Sequence, residues 1–307
     1  MLLVASCSNT KFLTGDQKLY TGHNKIEIVS DEKSKVVKHA EGIAEEITFI
    51  QPNNALMGKR VLPPLGLWYY NYHKPDDGKR GGFLYRTFKK EPLLLSYVYP
   101  EQRILKIESE LFGNGFFNSN ASYELDSARN NPRKVKISYS IEVEQPYLLN
   151  EILNQPARDS IDSLINLYTE KLNLKTGDVF NLETIKNEKR KLASMLIEDG
   201  YYFFGPENIE IIADTTDIPF RVNLLVRKRA GIEPYICRKY KINGVEVQIK
   251  QTAGNASAEL PNDTILYDGV YITGRTDYLK PQTICRSILF RRAIYIPKQN
   301  TKEPFRF

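Results

Sequence analysis

One pattern occurs twice in this sequence, the second time 85 positions after the first. Ile107, Leu111, Gly115, Phe116, Phe117, Val135, Ile137, Tyr139 and Ile141 align with Leu192, Leu196, Gly200, Tyr201, Tyr202, Phe220, Val222, Leu224 and Val226. Each copy has apolar residues at helical spacing, a glycine followed by two aromatics, a gap rich in turn formers, and an alternating run. That order spells an amphipathic helix, its stop, and a strand. A chain built on a duplicated unit folds as a string of like modules, since one unit alone cannot bury its apolar face. Such arrays bind or tether more often than they catalyse.

The 307 residues suffice for two or three domains. The 19 Tyr and 14 Phe against one Trp suit half-buried sheet positions. The net charge of +6 is mild, and its cations are interleaved with acids, as in Lys186-Asn187-Glu188-Lys189-Arg190-Lys191. That reads as a solvated helix face and not as a nucleic-acid footprint. His23, His39 and His73 are scattered, and no Cys or His spacing suits zinc, so neither metal nor cofactor is expected. There is no nucleophile elbow and no P-loop, and Gly113-Asn114-Gly115 lacks the later glycine of a dinucleotide fingerprint. The carboxylates Glu45, Glu46, Glu108 and Glu110 fall on predicted helices and read as solvated. The expectation is a protein that is not an enzyme.

Leu3-Val4-Ala5-Ser6-Cys7 resembles a bacterial lipobox, in which small residues precede a cysteine that becomes acylated. The expected lipidation residue is therefore Cys7. Only six residues precede it, fewer than a full signal peptide needs. In an oxidising compartment Cys237 and Cys285 would be an even pair open to a disulfide; two unpaired buried thiols are the favoured reading. No apolar run reaches the roughly 18 residues that span a bilayer.

Residues 1–18 read as lipobox and tether. Residues 19–145 read as a first module, with a strand from Lys25 to Val29, helices over about 35–47 and 101–112, and strands at Ala121 to Asp126 and Lys134 to Val143. An irregular insertion at about 51–100 holds Pro63-Pro64, Gly81-Gly82 and the aromatic run Trp68 to Tyr72, which is expected to pack against the module. Residues 146–232 form a second module, with a helix capped by Ser160, a helix over 182–199 capped by Asn181, and strands at Asn208 to Ala213 and Phe220 to Arg227. Pro234-Tyr235 echoes Pro146-Tyr147 and opens a third copy over 233–307. There a strand around Val245 and Val247, a loop from Thr252 to Asp263, a strand-like run from Tyr267 to Gly274 and a helix begun by Pro281 are expected. This copy lacks its later elements, which implies the front part of a longer protein.

The order strand, helix, helix, strand, strand, with Gly-aromatic closing the second helix, resembles the POTRA (polypeptide-transport-associated) domain. Leu174 to Phe180 with Gly200-Tyr201-Tyr202 is similar to the generic POTRA pattern. The tandem copies with the lipobox narrow the resemblance to the translocation and assembly module lipoproteins, a branch of the outer-membrane assembly factors: Cys7 to Leu13 with Lys18-Leu19-Tyr20-Thr21-Gly22 resembles that family's entry segment, and Tyr267-Asp268-Gly269 with Leu279-Lys280-Pro281 its third domain. The resemblance implies an α+β fold of tandem POTRA-like β-α-α-β-β modules, each a three-stranded mixed sheet covered by two helices, the last incomplete. It implies a periplasm-facing, lipid-anchored place at the outer membrane. The partners it implies are a C-terminal β-barrel, an elongated inner-membrane-anchored (TamB-like) protein, and unfolded outer-membrane clients. Clients would add as strands to sheet edges, at Ala121, Tyr123 and Leu125 and at Ile209, Ile211 and Ala213. A different reading makes the chain a free-standing lipoprotein that binds glycans or proteins, glycans through Trp68 to Tyr72.

Overall fold

The computed structural model describes residues 9–31, 34–53, 55–56, 59–60, 65–72, 90–215, 217–249, 264–274 and 280–288. Cys7, Pro63-Pro64, Gly81-Gly82 and the loop from Thr252 to Asp263 lie outside them. The chain divides into two compact units, Met1–Leu148 with Val179–Leu182, and Leu149–Asp178 with Glu183–Phe307. Its class is mixed α+β, with mixed sheets backed by helices.

The first unit contains β1 (Leu19–His23), β2 (Glu27–Val29), α1 (Ser34–Thr48), β3 (Ala55–Leu56), β4 (Lys59–Arg60), α2 (Leu65–Tyr72), α3 (Pro100–Gly113), β5 (Asn120–Ala128) and β6 (Asn131–Glu142). β6 is central. It pairs antiparallel with β5 along nearly its whole length, and β1 and then β2 pair with it in parallel. The helices form because each presents apolar residues one turn apart: Ala40, Ala44 and Ile47 on α1, Ile107 and Leu111 on α3. These pack over Tyr20, Ile137, Tyr139 and Ile141 of the sheet.

Two stretches depart from expectation. Part of the insertion completes the sheet: the Tyr20 amide donates to Leu93 O at 2.8 Å, and the Leu95 amide donates to Lys18 O at 2.9 Å. Residues 93–95 thus line the outer margin of β1 as one more short antiparallel segment. The expected tether is also packed from Asn9 onward. Thr10 and Leu13 are buried, and Leu13 joins Leu19, Leu67 and Leu94 in a small satellite core. Asn131 Nδ2 donates to Thr10 Oγ1 at 2.8 Å, and an Arg133 guanidinium N–H donates to Leu13 O at 2.8 Å. Polarity suggested a free segment, but one apolar side chain and partners for its backbone hold it down. The aromatic run lies on α2, where Leu67 and Asn71 are buried and Trp68 and Tyr70 half-buried.

Burial pushes the Tyr139 phenol up to about 12 and moves Tyr20 in the same direction. A phenol that ionises less readily when folded contributes its full stability below pH 10 and loses it as the pH climbs toward 12. The thermal midpoint should therefore fall between pH 10 and pH 12, and Tyr139→Phe should flatten that fall. A variant with the wild-type slope contradicts this.

The second unit is built on β7 (Leu148–Asn154), α4 (Ser160–Thr169), α5 (Leu182–Glu198), β8 (Ile209–Thr215) and β9 (Arg221–Lys228), in sheet order β7-β9-β8. Leu192 and Leu196 of α5 are buried, as are Val222, Leu224 and Val226 of β9. The cap of α4 is Asp159 and not Ser160: its carboxylate accepts the Asp162 amide at 2.9 Å, which leaves Ser160 as the first helical residue.

Next come β10 (Val245–Gln248), β11 (Thr264–Tyr267), β12 (Val270–Thr273) and α6 (Pro281–Ser287). β12 is central, parallel to β10 and antiparallel to β11, which is the polarity of β6 with β1 and β5. The expected single strand from Tyr267 to Gly274 is a hairpin. Asp268 (φ 48°) and Gly269 (φ 78°) make the two-residue turn, and an Asp-Gly pair suits positive φ at both positions. Cys237 and Cys285 are unpaired and half-buried. Among the described residues no helix is long and apolar enough to cross a membrane.

Candidate functional site

Helix α3 ends in a Schellman motif: the Phe116 amide donates to Leu111 O at 2.9 Å, and the Gly115 amide to Phe112 O at 3.0 Å. Helix α5 ends identically, Tyr201 to Leu196 O at 3.1 Å and Gly200 to Ile197 O at 2.9 Å. Gly115 (φ 88°) and Gly200 (φ 98°) supply the left-handed residue that the motif requires. Each glycine carbonyl then accepts a tyrosine amide at 2.8 Å, from Tyr147 in the first unit and from Tyr240 in the second. Aromatic rings close over both joints. Phe117 stacks on Tyr147 at 4.6 Å and meets Phe180 edge-on at 5.0 Å. Phe203 meets Tyr240 edge-on at 5.0 Å and Tyr235 at 5.6 Å. The Gly-aromatic-aromatic signature is thus a backbone socket as well as a helix stop. The sequence echo pointed to Tyr235, but the amide in the second socket belongs to Tyr240.

Both socketed helices lead to the strands expected to bind. β5 and β8 lie at the ends of their sheets. In an antiparallel strand, alternate residues turn both backbone groups away from the partner. The Ala121 amide donates to Glu108 Oε1 of α3 at 2.9 Å, so it faces outward, and Tyr123 and Leu125 face the same way. In β8 the Arg229 amide donates to Asn208 O at 2.8 Å, which makes Asn208 a paired residue and turns Ile209, Ile211 and Ala213 outward. All six expected edge residues therefore present backbone away from the neighbouring strand. They differ in availability. The Ala121 amide is already satisfied by Glu108, which helical spacing alone places on a solvated face, and the Ile209 amide by Pro206 O. Ala121 and Ile209 have buried side chains, whereas Leu125 is exposed.

Beside the open stretch of β5 runs a groove of about 720 Å³, lined in part by Leu95, Tyr99, Pro100, Glu101, Tyr123 and Leu125. Tyr99 stands before α3 at φ 49°, a left-handed conformation that costs a non-glycine residue about 1–2 kcal/mol. Its ring and that of Tyr97 are exposed. Nothing in the sequence marks Tyr99, because Pro100 alone accounts for the helix start.

The family described as "POTRA: Surface antigen variable number repeat" matches residues 166–227, from α4 to β9. No curated protein matches the sequence. Among solved structures, one described as Haemophilus influenzae BamA POTRA3-5 is 12% identical, with 94% of this chain and 84% of that chain covered at a TM-score of 0.38. POTRA1-3 of the periplasmic domain of Omp85 from Anabaena is 13% identical, with 92% and 81% covered at a TM-score of 0.35. The stretch 166–227 thus matches the POTRA family, and β7, α4, α5, β8 and β9 follow the β-α-α-β-β order of that domain.

Proposed function

We propose that this chain is the periplasmic POTRA region of an outer-membrane protein assembly or translocation factor. It is held at the membrane by lipid on Cys7, and it receives unfolded clients as strands added to β5 and β8. The observation that carries this reading is the row of outward backbone groups at Tyr123 and Leu125, and at Ile211 and Ala213, each on a helix-backed sheet. Main-chain hydrogen bonds supply the affinity in strand addition, so a client needs no fixed sequence. That suits a factor that handles many chains. The Glu108 carboxylate stops the open edge of β5 at its first residue and sets where an added strand begins. A C-terminal β-barrel and an inner-membrane-anchored TamB-like protein are the partners of this proposal. The margin of β1 is lined by the chain's own residues 93–95, which directs addition to the other side of the first sheet.

Proline at position 125 provides the test. It removes one outward amide while leaving the residues that pair with β6, as proline on an edge strand can. Leu125→Pro should weaken binding of an unfolded outer-membrane strand peptide about tenfold, the equivalent of one backbone hydrogen bond. Glu124→Pro, which removes a paired amide, should unfold the β5–β6 ladder instead. Unchanged peptide affinity in folded Leu125→Pro rejects strand addition at β5.

The glycan-binding reading draws little support. Leu67 and Asn71 turn one face of α2 into the satellite core, with Asn71 Nδ2 donating to Asn9 O at 3.2 Å.

A further inference from the structure

Three segments of the first unit meet at one end of its sheet. They are residues 9–13, helix α2 and the β5–β6 turn. The joining contacts are those of Asn131 with Thr10, Arg133 with Leu13 O, Asn71 with Asn9 O, and Leu67 with Leu13. The stretches 9–15, 65–72 and 127–134 contain no Asp or Glu, but they carry Lys11, Arg129, Arg133 and Lys134. The first three cations are exposed and Lys134 is half-buried; none forms an ion pair with a described residue. Among the described residues the bordering carboxylates are Asp16 and Asp126, and Asp126 is engaged by Asn24 Nδ2 at 2.7 Å and by Ser138. Aromatic side chains are interleaved with the cations. Lys11 Nζ lies 5.3 Å from the centre of the Phe12 ring, and Trp68 and Tyr70 are half-buried on α2. Four cations without a counter-charge among the described residues, set among half-buried aromatics, are the composition of a surface that rests on anionic headgroups.

We infer that this end of the first unit docks on an anionic bilayer surface. The position of the cysteine fits. Asn9 is fixed by Asn71, and Cys7 is two residues earlier, a reach of at most about 7 Å. An acyl chain there would draw the bilayer against Lys11 and Arg129. A basic patch adds to the membrane binding that a lipid anchor gives. The inference therefore adds to the lipidation proposed above, yet it can be tested without it.

The test uses the full chain with Cys7→Ser, which cannot be acylated, and sedimentation with vesicles of phosphatidylcholine alone or mixed with phosphatidylglycerol. Partitioning should be more than tenfold stronger on the anionic vesicles and should collapse as salt rises from about 20 to about 200 mM. The double variant Lys11→Gln/Arg129→Gln should lose about 25-fold, about fivefold per cation. Lys186→Gln/Lys189→Gln, on α5, should lose nothing. Binding of the strand peptide should be the same in both double variants, which separates this inference from the proposed function. Equal binding to neutral vesicles overturns the inference. So does an α5 double variant that loses as much as the Lys11/Arg129 one.

Discussion

Gly115→Val should destabilise the first unit by several kcal/mol and leave it largely unfolded at 37 °C. Two costs add at this position. The left-handed conformation at φ 88° costs an ordinary residue about 1–2 kcal/mol, and a β-branched one more. A Cβ there would also sit 3.0 Å from Phe180 O and 3.2 Å from Tyr147 O, two backbone atoms that cannot rotate aside. Relief requires the Tyr147 amide to leave Gly115 O, or the ring of Phe117 to leave Tyr147. Domains of this size have about 5–15 kcal/mol of stability in all. Gly177 is the control, because its φ of 91° is similar but nothing lies within 4 Å of an added Cβ. Gly177→Val should carry the conformational cost alone. Urea unfolding followed by hydrogen exchange, of β5 and β6 amides for Gly115→Val and of β7 and β9 amides for Gly177→Val, resolves the two. Equal losses at both glycines would mean that the socket contributes nothing beyond its φ.

Leu111→Ala and Leu196→Ala should each cost about 3–5 kcal/mol. Both leucines are fully buried at the third position from the helix end, where the aromatic after the glycine, Phe116 or Tyr201, is also buried and donates its amide to the leucine's carbonyl. Truncation leaves a void that the Schellman turn holds open, since the turn's hydrogen bonds keep the aromatic in place. Because the two sites are structural equivalents, the losses should match within about 1 kcal/mol, each in its own unit. Exchange rates of β6 amides should rise in Leu111→Ala, and those of β9 amides in Leu196→Ala. A loss several times larger at one site would show that the 85-residue repeat is a likeness of sequence without a likeness of packing.

The repeat was legible because apolar periodicity reports burial directly. Ile107, Leu111, Phe116, Ile137, Tyr139 and Ile141 are buried, as are their counterparts Leu192, Leu196, Tyr201, Val222, Leu224 and Val226. One aligned pair fails: Val135 is buried in β6, whereas Phe220 sits before β9 at φ 56°. There the chain turns out of a loop, and alternation alone does not report where a strand begins. Other misses have local causes. Asp268-Gly269 reads from sequence as part of one strand because the residues on both sides alternate; two adjacent strands joined by a two-residue turn keep that alternation. Residues 93–95 and 9–13 gave no periodic signal, because single leucines, Leu94 and Leu13, hold them in a satellite core. Glu108 read as solvent-facing on helical spacing. Its partner is the Ala121 amide across the helix–sheet layer, which no local pattern reveals. The strand edges could be guessed from module order, but which amides point outward is fixed only by register.

Amide hydrogen exchange of the full chain, resolved by residue and measured with and without an unfolded outer-membrane strand, tests the central claim most directly. The account predicts slower exchange at Tyr123 and Leu125, and at Ile211 and Ala213, with no change at Ala121 or Ile209, whose amides Glu108 and Pro206 O already hold. Slowing confined to other surfaces, or none at any of these four amides while the strand is bound, would contradict it.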